Sequence, residues 1–154
     1  MISYRRAEIT DMELLIQYRI QQLNDEEEHP DIDIRDALHT WFERMLCEDR
    51  LYQILAEEDG QVIACGALLE VGLPPSFFKP TGKTGYITNM YTLPAYRRNG
   101  YAAKILQMLK EEAARRNIDR LLLETSSWGE TVYRKSGFTP MDWWMQYILK
   151  GGEY

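Results

Sequence analysis

Sulfur and imidazole are scarce in this chain. It has two cysteines, Cys47 and Cys65, far apart and without metal-type spacing, and two histidines, His29 and His39. That excludes a disulfide framework and a cysteine–histidine metal cluster, and it suits a reducing cytoplasm. Positive charge is also short. Lys and Arg number 18 against 24 Asp and Glu, a formal net charge of −6. Such a balance argues against general affinity for nucleic acid or for an anionic membrane surface. No apolar run is long enough to cross a bilayer, and the first six residues begin no signal-peptide pattern. Neither Gly-x-x-x-x-Gly-Lys-Ser/Thr nor Gly-x-Gly-x-x-Gly occurs, so neither a P-loop nor a dinucleotide fold is expected. There is no internal repeat and no low-complexity tract.

What is there fits a globular protein. Hydrophobic residues make up 45% of 154 positions, which read as one domain over 1–154 with a substantial core. A first strand is expected over 2–6. Thr10 or Asp11 caps a helix whose apolar face is Met12, Leu15, Ile16, Ile20 and Leu23. The stretch 24–33, with Asp25, Glu26, Glu27 and Glu28, reads as a solvated connector or as an attraction for a cationic acceptor. Leu38, Trp41, Phe42, Met45 and Leu46 mark a second helix. Strands over 52–58 and 61–70 are joined by Asp59-Gly60, a hairpin turn signal. A long loop over 71–83 contains Pro74, Pro75, Pro80 and Gly82.

The stretch 85–109 organises the rest. Residues 86–92 are rich in aromatic and β-branched side chains and read as a strand, ended by Pro94. Ala102, Ile105, Leu106, Leu109 and Ala113 form one helical stripe. Between them lies Arg97-Arg98-Asn99-Gly100-Tyr101-Ala102. A helix start leaves about four N–H groups unpaired and favours an anion, Gly100 permits a sharp turn, and two arginines add charge. The expectation is a phosphate cradle at a strand end. Downstream come a strand over 118–125, a short helix over 129–136, and one or two strands over 138–149.

Arg97, Gly100 and Ala102 match Arg/Gln-x-x-Gly-x-Gly/Ala, and Tyr133, Gly137 and Phe138 match Tyr-x-x-x-Gly-Phe. With both in order, the chain resembles the GNAT (Gcn5-related N-acetyltransferase) superfamily. The resemblance implies an α/β fold: a mixed central sheet with helices on both faces, in the order β-αα-βββ-α-β-α-β. It implies an acetyl-CoA-dependent N-acetyltransferase, with CoA as product, acting by direct transfer in a ternary complex. The acceptor implied is a primary amine of a small molecule or peptide. A non-catalytic acyl-CoA-binding or sensing domain is the alternative, and a nucleotide-binding module is a third reading.

The same resemblance assigns the site. The loop Arg97, Arg98, Asn99, Gly100, Tyr101 and Ala102 takes the pyrophosphate. The backbone of Met90, Tyr91 and Thr92 pairs with the pantetheine arm, the Met90 N–H facing the acetyl carbonyl. Tyr133 protonates the departing thiolate, since a phenol with a reference pKa of about 10 can act as an acid. Ser126 stands where many members have an Asn contacting the cofactor. Tyr86 stands where histone-type members carry a Glu base, which leaves Glu70, Glu124 or a water relay for that task. Cys47 and Cys65 are expected to be small buried hydrophobes rather than nucleophiles, and no metal is expected. Trp143 and Trp144 read as packed or half-exposed strand residues, with an acceptor pocket or a homodimer contact left open.

Overall fold

A computed structural model describes residues 1–26, 31–127 and 129–150. Among the described residues, five strands form one sheet in the order β1-β2-β3-β4-β5. They are β1 (Ile2–Arg6), β2 (Leu51–Glu58), β3 (Gln61–Gly72), β4 (Lys83–Thr92) and β5 (Arg120–Leu122). The first four pair antiparallel, and β5 pairs parallel to β4. Helices α1 (Met12–Asp25) and α2 (Arg35–Cys47) precede β2; α3 (Tyr101–Arg115) links β4 to β5, and α4 (Glu130–Lys135) follows β5. The expected element order holds through α4. Glu27, Glu28, His29 and Pro30 of the acidic connector lie outside the described residues.

The sheet separates two apolar layers, because alternate strand residues face opposite sides. On one side, Leu15, Ile16, Phe42 and Met45 of α1 and α2 pack with Leu51, Leu55 and Tyr91. On the other, Ile105, Leu106 and Leu109 of α3 pack with Ile54, Ile63, Leu68 and Ile87. The β2–β3 hairpin turns through Asp59 (φ 50°) and Gly60 (φ 81°), the left-handed pair that a tight two-residue turn requires. The loop over 73–82 is held by Asp119, whose carboxylate accepts from the amides of Thr81 (2.8 Å) and Gly82 (3.1 Å).

Two expected strands differ. The one expected over 118–125 is limited to Arg120–Leu122, because its ladder to β4 covers only Thr84, Gly85 and Tyr86. Beyond Tyr86 the two strands diverge, and residues past Leu122 have no β4 partner. No strand is present over 138–150, since a three-residue β5 offers little edge to pair with. Trp143 and Trp144 are accordingly 77% and 53% exposed rather than packed in a strand.

Candidate active site

The end of β4 carries an irregularity that the flanking pairs define. Cys65 pairs with Tyr91 and Ala67 with Thr88, so Asn89 and Met90 stand opposite the single residue Gly66. This is a β-bulge, and Asn89 takes the left-handed φ of 54° that makes room for it. Gly66 is required here for space. A Cβ at that position would lie 2.2 Å from the Met90 sulfur and 2.8 Å from Ile105. The bulge bends β4, and the strand's outer edge from Ile87 to Thr92 carries no β5 ladder. An open edge of this kind can accept an extended ligand as an added strand. Met90 and Thr92 are half-buried on it, while the Tyr91 ring is buried against Tyr18, 5.2 Å between centroids.

The loop after β4 delivers the chain to α3. Pro94–Tyr96 forms a single 3-10 turn, and Asn99 donates to the carbonyls of Tyr96 (3.0 Å) and Arg97 (3.1 Å), which tightens the bend. Arg98 (φ 64°) and Gly100 (φ 83°) are both left-handed. Gly100 caps α3, and its carbonyl accepts the first helical bond from Lys104 at 3.0 Å. A Cβ at Gly100 would meet nothing within 4 Å among the described residues, so the residue serves backbone conformation, not space. Among the described residues no side chain caps the helix, which leaves its first amides and its dipole for an anion. Tyr101 and Ala102 begin the helix, both half-buried.

The two arginines divide. Arg98 is exposed beside the helix start. Arg97 turns back: its Nε donates to the Thr92 carbonyl (3.0 Å), one Nη to Asp25 at the end of α1 (2.6 Å), and its guanidinium lies 5.8 Å from the Tyr91 ring centre. In this geometry Arg97 shapes the loop, rather than directing its charge at the open helix start.

Tyr133 is placed by a cap. After α4, Gly137 takes φ 93°, its amide donates to Arg134 (3.1 Å), and the Phe138 amide donates to Tyr133 (3.0 Å). That is a Schellman motif, and the apolar contact that accompanies it is the Tyr133–Phe138 ring pair. The Tyr-x-x-x-Gly-Phe pattern is therefore the sequence of a helix stop that fixes its tyrosine. Burial pushes the Tyr133 phenol up to about 12, and the charge of Glu26 and the neighbouring Tyr86 push the same way. The phenol thus stays protonated at neutral pH, as an acid must. Ser126, half-buried in the β5–α4 connection, accepts at its carbonyl from Gly129 (3.1 Å) and from the Thr125 hydroxyl (2.9 Å).

The base candidates separate. Glu70 pairs in register with Gly85, at the end of β4 away from Thr92, and faces Arg116 (3.5 Å) and Lys83 (3.8 Å). Glu124 lies with Tyr86, Leu123, Tyr133 and Phe138 on a cleft of about 1030 Å³. Cys65 is fully buried, and burial pushes its thiol up to about 12, which suppresses the thiolate. Cys47, expected to be buried, is exposed at the end of α2. Among the described residues no cluster of His, Cys, Asp and Glu could hold a metal, and no helix is long and apolar enough to cross a membrane.

Sequence reasoning missed that the charge of Glu26, just after α1, acts on Tyr133 of α4. It also missed the bulge. An Asn inside a run of β-branched and aromatic residues was the available signal.

Comparison with known proteins points to one family. The family model described as "Acetyltransferase (GNAT) family" matches residues 13–138. A predicted acetyltransferase from Clostridium acetobutylicum, solved with acetyl-CoA, is 42% identical, with 97% of each chain covered and a TM-score of 0.94. A GCN5-related N-acetyltransferase from Ralstonia eutropha JMP134 shares the fold at 24% identity and a TM-score of 0.86, covering 97% of this chain and 100% of its own. An IAA acetyltransferase of Azospirillum brasilense is 28% identical over 88 residues, 55% of this chain and about half (52%) of the relative's length. The chain belongs to the acetyltransferase (GNAT) family.

Proposed function

We propose that this protein transfers the acetyl group of acetyl-CoA to the amine of a small molecule by direct attack. The observation that carries the reading is the continuity of two features. The open outer edge of β4 leads from the bulge at Asn89 straight to the uncapped start of α3. One suits an extended amide-bearing arm and the other a pyrophosphate. The 42% identical Clostridium protein, solved with acetyl-CoA, supports the choice of ligand.

In this reading the amides of Arg98 to Ala102 hold the pyrophosphate, with Arg98 adding charge. The Met90 and Thr92 backbone holds the arm, and the Met90 N–H donates to the acetyl oxygen as negative charge develops there. Tyr133 gives its proton to the sulfur as the carbon–sulfur bond breaks. Glu124, on the cleft with Tyr133, takes the amine proton directly or through water; Glu70 is occupied by Arg116 and Lys83. Ser126 contributes a hydroxyl where a cofactor-contacting amide is common in relatives. The test is release of free thiol from acetyl-CoA with a panel of small amines and peptides. Acceptor-dependent release from at least one small amine is expected; tight CoA binding with no release from any acceptor would leave a binding domain instead.

A further inference from the structure

Behind the bulge lies a buried polar pair that core packing does not explain. Asn89 is 4% exposed and Gln53, on β2, is 1% exposed, both within the apolar interior. The Asn89 Nδ2 donates to the Gln53 Oε1 at 3.2 Å, reaching across the intervening β3. The Asn89 carbonyl accepts from the Cys65 thiol at 3.3 Å. The Gln53 Nε2 is itself buried, with the Cys65 thiol as its neighbour. An apolar side chain at 53 would leave the buried Asn89 Nδ2 without its acceptor, so the glutamine serves the asparagine.

The pair holds the one residue whose conformation defines the bulge. A non-glycine residue at φ 54° is strained unless its surroundings fix it, and a side-chain hydrogen bond is how an asparagine is fixed there. Met90 follows directly, and its N–H direction is set by the Asn89 torsions. We infer that Gln53 is a positioning residue for acetyl transfer: by holding Asn89 in its left-handed turn, it aims the Met90 N–H at the acetyl oxygen. This rests on the assignment of that N–H given above.

Isotope-edited infrared spectroscopy of carbonyl-13C acetyl-CoA, bound to the whole protein without acceptor, tests it. A donor aimed at the carbonyl lowers its stretching frequency. Wild type is expected to show that downshift, and Gln53→Leu to lose a substantial part of it. CoA affinity in Gln53→Leu should stay within about threefold of wild type, because the cradle supplies most of the binding. In an Asn89→Gly background, where glycine adopts the turn unaided, adding Gln53→Leu is expected to change nothing further. If Gln53→Leu does not fold, Gln53→Met, unbranched and of similar length, takes its place. A full downshift in either folded variant, or a further loss in the glycine background, overturns the inference and leaves the Met90 assignment standing. No downshift in wild type overturns both.

Discussion

Tyr133 and Phe138 close the end of α4 together: the Phe138 amide donates to the Tyr133 carbonyl at 3.0 Å, and their rings meet edge to face with centroids 6.0 Å apart. The cap holds the tyrosine's backbone and the ring contact limits its side chain, so the fold itself fixes the position of the phenol. Tyr133→Phe keeps both contacts and removes only the hydroxyl. Positioned acids contribute about a hundred- to ten-thousandfold, and for a moderately good leaving group such as a thiolate the expected loss in kcat is roughly ten- to a hundredfold. KM for acetyl-CoA moves less. Steady-state kinetics with an identified acceptor, under conditions where chemistry limits the rate, decides it; a kcat within about twofold of wild type removes the acid role.

The same phenol makes stability depend on alkaline pH. Its pKa is raised in the folded state from 10.0 to about 12, with burial the main cause. Below about pH 10 both folded and unfolded chains carry the proton, and the contribution is complete. As pH rises from about 10 toward about 12 the unfolded chain ionises while the folded one does not, so stability falls. Urea unfolding across this range is expected to show a shallower loss for Tyr133→Phe than for wild type. Equal slopes would mean that the phenol titrates alike in both states.

Gly100 separates backbone from charge. With φ 83° and open space around its missing Cβ, Gly100→Ala costs only the left-handed penalty, about 1–2 kcal/mol. Gly100→Glu adds a carboxylate at the proposed pyrophosphate site and is expected to weaken CoA binding at least about tenfold, ~1.4 kcal/mol, in a folded protein. Calorimetric titration of CoA into both variants compares them. Unchanged affinity in folded Gly100→Glu would move the pyrophosphate site elsewhere.

Arg97 and Asp25 are 2.6 Å apart but both partly exposed, at 45% and 34% of their side-chain surface. Such a pair contributes at most about 1 kcal/mol, so Asp25→Asn leaves global stability nearly unchanged. It also releases Arg97 and removes an anion near the α3 start. CoA affinity is expected to hold or tighten, by up to about fivefold at low salt. A tenfold weakening would show instead that the ion pair orders the loop.

Direct transfer requires neither thiol. The Cys47→Ala/Cys65→Ser protein, which keeps a donor for the Asn89 carbonyl, is expected to keep most of its turnover once corrected for folded fraction. Intact-mass detection of an acetylated cysteine during turnover, lost in that double variant, would replace direct transfer with a covalent route.

Local patterns in the sequence determined a great deal. The periodic stripes of α1, α2 and α3, the Asp59-Gly60 turn and the stop at Pro94 are short-range effects of propensity and sterics, and the structure carries each of them. The Tyr-x-x-x-Gly-Phe pattern was legible for a related reason, since a Schellman cap is written within six residues. Tertiary structure alone decided what depends on neighbours distant in the chain. Whether Glu70 was free depended on Arg116, and where Arg97 pointed depended on Asp25, seventy-two positions earlier. The extent of β5 followed from how far β4 stays beside it, and β4 turns away at a bulge held by Gln53 across the sheet. Local sequence sets which torsions are cheap; which charges meet and which edges stay open is settled only when strands and helices far apart in sequence pack together.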